Sequence, residues 1–380
     1  MVTILGGEIL SALGEGRERI AHLANGTYKT VKKTMVLNDE TLTFPYYAID
    51  EGQRTTSLDL PLRYLKEVVQ KAIDRVSLSP EALRRCGLFL GSSSNDLSLV
   101  VPLGQNFDGS QEEKIDCARI GNGYYADYLV RQFGLQGFSL TYNTACTSSA
   151  NAVIDAASML EGGIIDYALV VGFEFFAPVT FEGFGSMQLL SADKIAPFDR
   201  DRNGIVQGEA LSAVFLSRSD VADSSWHYRG AMSNCETHSV TGANPDGIRI
   251  GQVIAAALKN SGVGAGEITA VKAHGTASAL NDRAEINAMK QVFDNPPPFF
   301  SLKPYIGHTL GSCGASEMLL LMECVDNGFI PASPNFSTPD ETLQWRPITE
   351  KIACGSGLFM LNYFGFGGNN TSIVIEKVKA

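Results

Sequence analysis

The stretch Thr141-Tyr142-Asn143-Thr144-Ala145-Cys146-Thr147-Ser148-Ser149-Ala150 joins two kinds of pattern. Phe138 to Tyr142 is β-rich, and Ala150 to about Leu160 is Ala-rich and helical. Cys146 therefore falls where a strand becomes a helix. Unpaired backbone N–H groups and the positive end of a helix dipole gather at such a point. Both favour a thiolate, so the position predicts a depressed thiol pKa and a nucleophile. Thr147, Ser148 and Ser149 are residue types that cap a helix start. A lone cysteine is more often a small buried apolar residue, so the sharper reading needs partners elsewhere.

Outward from this stretch, strands and helices alternate. Leu60–Val76 has the apolar spacing of an amphipathic helix, and Cys86–Leu90 reads as a buried strand. Ile120–Phe133 is helical, Tyr167–Val171 is a fully apolar strand, and Gly208–Ser217 contains another. The pattern then restarts. Strands are expected at His227–Cys235, Ile268–Ala273, Pro298–Ser301, Phe359–Asn362 and Ser372–Glu376, with a short one at Val2–Leu5. Helices are expected from Pro245-Asp246-Gly247 to about Asn260, at Asp282–Phe293 and at Ser312–Val325. The pattern predicts two similar α/β halves, 1–215 and 216–380, in one layered body.

Composition narrows the function. The chain has 380 residues, 44% of them hydrophobic, enough for a large core. A net charge of −11 argues against nucleic acid as a partner. No apolar run reaches membrane-spanning length, and the first residues lack the features of a signal peptide. Seven cysteines show no CxxC pair and no metal-ligand spacing. An odd count in a long chain predicts free thiols, a reducing compartment and a cytoplasmic location.

Four segments carry candidate partners for Cys146: Ala273-His274-Gly275-Thr276-Ala277-Ser278, Lys303-Pro304-Tyr305-Ile306-Gly307-His308-Thr309, Asn281-Asp282-Arg283-Ala284-Glu285 and Asn362-Tyr363-Phe364-Gly365-Phe366-Gly367-Gly368-Asn369. They lie at strand ends and in loops, where α/β folds place their chemistry. Only five histidines occur, and two of them follow strand-like runs beside glycine. With Pro197-Phe198-Asp199-Arg200-Asp201-Arg202-Asn203-Gly204 and Thr144–Ser149, these motifs resemble, in order, the β-ketoacyl-acyl carrier protein synthases of the elongating, decarboxylating kind. That family serves fatty acid and polyketide synthesis and has a thiolase-like fold of α-β-α-β-α layers.

The resemblance implies a Cys146, His274, His308 triad. Cys146 would carry the acyl chain as a thioester. The two neutral histidines would stabilise the enolate left by malonyl decarboxylation. Backbone N–H groups of Cys146 and Phe366 would form an oxyanion hole. Lys303 would be the active-site lysine, with Glu285 as its ion-pair partner. Thr276 and Ser278 would contact phosphopantetheine, and Phe364, Phe366 and Phe184 would gate or line the acyl pocket. No metal and no cofactor is implied beyond the carrier's own phosphopantetheine. The partners would be acyl carrier protein and a second chain, giving a homodimer or a heterodimer with a chain-length partner. Phe138–Tyr142 would lie at that interface. Arg54, Arg63 and Lys66 are candidates for docking the acidic carrier.

The chain departs from the family pattern at Ala277, Ser278, Asn369 and Ala210, and between Gly91 and Cys146. Ala277 stands where the family has glycine, which predicts a small backbone change there. These departures point to a specialised polyketide, aryl-polyene or unusual fatty acyl pathway. A thiolase would instead use a second cysteine, for which Cys354-Gly355-Ser356-Gly357 is the candidate. The initiating condensing enzymes carry Asn where this chain has His308. A non-catalytic chain-length subunit would lack Cys146.

Overall fold

The computed structural model describes residues 2–50, 59–93 and 121–379. The first half contains β1 (Val2–Ser11), α1 (Gly16–Asn25), β2 (Val31–Leu37), β3 (Glu40–Tyr46), α2 (Asp59–Val76), α3 (Pro80–Arg84) and β4 (Cys86–Gly91). It continues with α4 (Asn122–Phe133), β5 (Ser139–Tyr142), α5 (Ser148–Glu161), β6 (Tyr167–Glu174), α6 (Pro178–Ser186) and β7 (Ala210–Arg218). The second half contains β8 (Trp226–Cys235), α7 (Ile248–Ser261), β9 (Ile268–Lys272), α8 (Ala279–Lys290), β10 (Phe299–Phe300) and the single turn α9 (Lys303–Ile306). It ends with α10 (Cys313–Asp326), β11 (Phe329–Ile330), β12 (Ile352–Ala353), β13 (Gly357–Gly365) and β14 (Asn369–Lys377).

The two halves have one topology. In the first, the strand order is β5-β4-β6-β7-β1; in the second it is β10-β9-β13-β14-β8. In each, the first three strands run parallel and the last two join antiparallel. β1 pairs β8 through Val2 with Tyr228 and Thr3 with His227, so the halves share one ten-stranded sheet.

Side-chain alternation along the strands builds the layers. On β6, Ala168 and Val170 face a central core, while Leu169, Val171 and Phe173 face α2 and α4. On β13, Phe359, Leu361 and Tyr363 face the same central core, while Met360 and Phe364 face α7 and α8. Strands covered on both sides read as continuous apolar runs, which is why Tyr167–Val171 is recognisable from sequence. α5 and α10 lie in the centre, between the two halves.

Several elements differ from expectation, among them β1, the β2–β3 hairpin and α6. β1 runs to Ser11 because β7 pairs with it along its whole length, across a bulge between Ile4 and Gly6. The β2–β3 hairpin is half exposed and rich in Lys and Thr, so it lacks the apolar signal of a buried strand. α6 holds Pro178, Gly183 and Gly185, residues with poor helix propensity, and forms because Phe181 and Phe184 bury against the hairpin. Among the described residues, no helix is long and apolar enough to cross a membrane.

The contact between α5 and α10 has no room to spare. A Cβ at Gly314 would overlap the backbone of Ser149 and Ala150. Gly314→Ala is therefore expected to destabilise the protein by about 3 kcal/mol or more. Gly123→Ala, on an exposed helix position with open space around it, should stabilise it by about 0.5–1 kcal/mol. Urea denaturation of the two variants checks the contrast.

Candidate active site

The turn that carries Cys146 is locked from within. Ala145 takes a left-handed φ of 51°, and Ala145–Thr147 forms one 3₁₀ turn before α5. Ser148 Oγ donates to Ala145 O at 2.7 Å and accepts from Thr144 N at 2.9 Å. Thr147 Oγ1 donates to Thr144 O at 2.8 Å. These hydroxyls do not cap the N–H groups of α5, as the sequence suggests; they bind back to the turn. Ser149 Oγ accepts from Ala315 N at 3.1 Å and ties α5 to α10.

The other groups arrive from the second half. His274 follows β9, His308 follows α9, Phe364 lies at the end of β13 and Phe366 follows it. Cys146, His274, Thr276, Ser278, His308, Phe364 and Phe366 line one pocket of about 140 Å³, with Phe184 from α6. The two imidazole rings lie 5.4 Å apart and nearly perpendicular, at 85°. Phe364 packs 5.7 Å from the His274 ring, and Phe366 stacks on Phe184 at 5.1 Å. Gly365 lies so close to the nucleophile that a Cβ there would sit 2.9 Å from Cys146 N.

Hydrogen bonds assign the histidine protons. His308 Nδ1 accepts from Leu310 N at 3.2 Å. His274 Nδ1 lies 3.3 Å from Lys303 Nζ, whose ammonium donates. Both rings then carry their proton on Nε2. Burial first, and the Lys303 ammonium next, hold both histidines well below the usual imidazole range. They are neutral donors.

Cys146 departs from the expectation of a depressed pKa. It is 5% exposed. Burial pushes its thiol up to about 11, outweighing Lys303 and the backbone N–H groups of Phe366 and Cys146, which favour the anion. A helix start lowers a thiol pKa only when water or a close charge repays the lost solvation. Cys313 is not a second nucleophile: its Sγ donates to Cys146 O at 2.9 Å, and burial drives its pKa up as well. Cys354 lies outside the pocket and donates to Ser356 O.

The proposed Lys303–Glu285 pair does not form. Lys303 Nζ binds Glu317 Oε1 at 2.7 Å, with both side chains fully buried. Glu285 instead accepts from His274 N at 2.8 Å, Gly275 N at 2.9 Å and Asn362 Nδ2 at 3.3 Å. The loop's own N–H groups occupy it. Lys303 stays charged: burial opposes the charge, but Glu317, joined by Cys313 and Cys146, outweighs burial and lifts it above the ordinary lysine range. Glu317 was legible as a lone acid in the apolar run Ala315-Ser316-Glu317-Met318-Leu319-Leu320-Leu321, where a buried carboxylate demands a cation.

Ala277 keeps φ at 64°, so the loop retains a left-handed residue and the alanine carries the strain, about 1 kcal/mol. Asp282 accepts from Phe198 N at 2.7 Å and Thr276 N at 3.0 Å, joining the Pro197–Gly204 motif to the His274 loop. That motif is a brace: Asp199 accepts from Ser337 and Thr338 N–H groups, and Arg202 binds Asp340. Arg63 and Lys66 are exposed on α2, whereas Arg54 lies outside the described residues. Among the described residues, no His, Cys, Asp and Glu side chains gather as metal ligands.

Residues 10–222 match the family described as beta-ketoacyl synthase, N-terminal domain, and residues 227–337 match beta-ketoacyl synthase, C-terminal domain. The chain belongs to the β-ketoacyl synthase family. It is 26% identical over 352 residues to the chloroplastic 3-oxoacyl-[acyl-carrier-protein] synthase I of Arabidopsis thaliana, covering 87% of this chain and 74% of that one. Its fold matches a beta-ketoacyl synthase from Burkholderia phymatum with a TM-score of 0.86 and 23% identity, over 100% of this chain and 99% of that one. It also matches a structure of the ketosynthase ApeO with its chain length factor ApeC from Xenorhabdus doucetiae, with a TM-score of 0.83 and 25% identity, over 99% and 98% of the two chains. The synthase has the thiolase-like fold of these relatives.

A thiol with a pKa of about 11 has a clear signature. Iodoacetamide labelling of Cys146, followed by peptide mass spectrometry, should accelerate about tenfold per pH unit from about pH 7 to pH 10 without a plateau. A plateau near pH 7 would show that the thiolate is already formed.

Proposed function

We propose that this synthase joins an acyl chain to a malonyl unit by decarboxylative condensation, both delivered on acyl carrier protein. The observation that carries this reading is the pair of neutral Nε2–H donors lining the same pocket as a buried thiol.

Cys146 attacks the incoming thioester, its S–H proton passes to the departing carrier thiol, and an acyl-Cys146 thioester forms. At pH 7 a thiol with a pKa of about 11 is ionised in about 1 molecule in 10⁴, so deprotonation accompanies attack. The malonyl carbonyl then accepts from His274 and His308. Its C–C bond breaks, CO₂ leaves, and the electron pair becomes an enolate held by the two donors. The enolate carbon attacks the acyl carbonyl. The oxyanion formed there is met by the N–H groups of Cys146 and Phe366; as the carbonyl re-forms the C–S bond breaks, and Cys146 leaves as a thiolate that takes a proton from solvent. Neutral histidines fit this role because they stabilise charge without surrendering a proton.

Thr276 and Ser278 would hold the phosphopantetheine arm, and no other cofactor enters the reaction. The Phe366–Phe184 stack would gate the acyl chain. Arg63 and Lys66 on α2 would meet the acidic carrier. β5 is the edge strand of the sheet and Phe138 beside it is 52% exposed, so a second chain would cover this edge. That chain would be a copy or a chain-length partner, as ApeO has ApeC. The free thiols of the described cysteines suit the cytoplasm. A specialised polyketide, aryl-polyene or fatty acyl pathway fits the departures at Ala277, Ser278 and Asn369.

Half-reactions separate the roles. Cys146→Ala should lower condensation by more than about 10³-fold. His308→Ala should lower malonyl decarboxylation by about 10²–10³-fold and Cys146 acylation by less than about tenfold. Equal loss of both half-reactions would remove His308 from its assigned role. Intact-mass measurement with a panel of acyl-carrier donors gives the chain length accepted.

A further inference from the structure

A second lysine lies beneath the site, two residues before His274. Lys272 ends β9 and is fully buried. Its Nζ donates to Glu317 Oε2 at 2.5 Å and to Asn362 O at 2.6 Å, and sits 3.6 Å from the centre of the Tyr363 ring. A carboxylate oxygen, a carbonyl oxygen and an aromatic face are the contacts of an ammonium ion.

These contacts close a ring. Lys272 binds one oxygen of Glu317, and Lys303 binds the other at 2.7 Å. Lys303 reaches His274 Nδ1, and the backbone N–H of His274 donates to Glu285. Glu285 accepts from the Asn362 side chain, and the Asn362 carbonyl returns to Lys272. Two ammonium groups share the Glu317 carboxylate, while the ring's other carboxylate, Glu285, is occupied by the His274 and Gly275 N–H groups. We propose that Lys272 is a positioning residue for His274: it closes the ring that fixes the imidazole and leaves Lys303 incompletely neutralised by Glu317.

The charged and titratable groups packed around it come from every neighbouring element. They are Lys303 on α9, Glu317 and Cys313 on α10, Glu285 on α8 and Tyr363 on β13. His274 and His308 feel the resulting field. Lys272 acts in the same direction as burial and Lys303 on both rings, keeping them unprotonated. In this ring, Glu317 alone would turn Lys303 into a neutral pair. Lys272 prevents that.

The proposal rests on the condensing role of His274, so its test has a readout that needs no turnover. Five histidines make ring ¹³C–¹H spectra of the whole protein tractable. Lys272→Met removes the charge and keeps the volume. It should raise the titration midpoints of His274 and His308 by about half a unit or more. The acid limb of malonyl decarboxylation should move up with them. Lys272→Met with Glu317→Gln removes one charge of each sign and should return both towards the wild-type position. Should the Met variant not fold, Lys272→Gln carries the same expected shift while keeping a donor for Asn362 O. Superimposable titrations in the wild type and the variant, with decarboxylation lowered equally at every pH, would overturn the proposal. Absence of decarboxylation in the wild type would instead count against the condensing reading and leave the spectra to decide the role of Lys272.

Discussion

The carboxylate of Glu317 serves two ammonium groups in a fully buried space. Everything around the nucleophile depends on that arrangement. Ions are expensive to bury, and removing one partner of a buried pair costs about 3–5 kcal/mol. Lys303 is held at His274 because Glu317 holds it there. His274 then has only Nε2 left to donate. The same burial explains why Cys146 stays protonated and both imidazoles stay neutral. Burial makes each reacting group less charged, and one small ion cluster beneath them supplies the field.

The architecture was legible because its signals are strong. Tyr167–Val171 and Phe359–Leu361 are apolar on both faces, and such runs fit little besides a covered strand. Cys146, His274 and His308 could be found because each lies at an element's end beside small residues. The ion network was less legible. The family resemblance pairs Glu285 with Lys303, and Glu285 does stand on a helix facing the site. Its carboxylate is consumed by the loop's backbone, which no side-chain pattern reveals. Lys272 is the one charged side chain of a short apolar strand, and nothing in the pattern says that it is buried. The pKa of Cys146 was misread for a related reason: the helix start is visible in sequence, but the depth of its burial is not.

The two halves use one device for two purposes. In each, a left-handed residue opens a 3₁₀ turn that leads into a central helix: Ala145 at φ 51° before α5, and Leu310 at φ 46° before α10. In the first half this turn presents Cys146. In the second it donates the Leu310 N–H to His308, while Gly311 N donates to the buried Glu174. The repeat therefore places a nucleophile and the support of its electrostatic partner at related positions on two helices that touch. Ser149 and Gly314 keep that contact close.

The position of β14 bears on how the molecule is made. β14 lies between β13 and β8, inside the second half, although its residues 369–377 follow both neighbours in the chain. On the ribosome, β8 has no inner neighbour from its own half until this segment emerges. Synthesis delivers the early elements first. The thiol would therefore be folded into place while the histidine side of the pocket is still being assembled. The complete pocket is therefore reached only after residues 369–377 have been made.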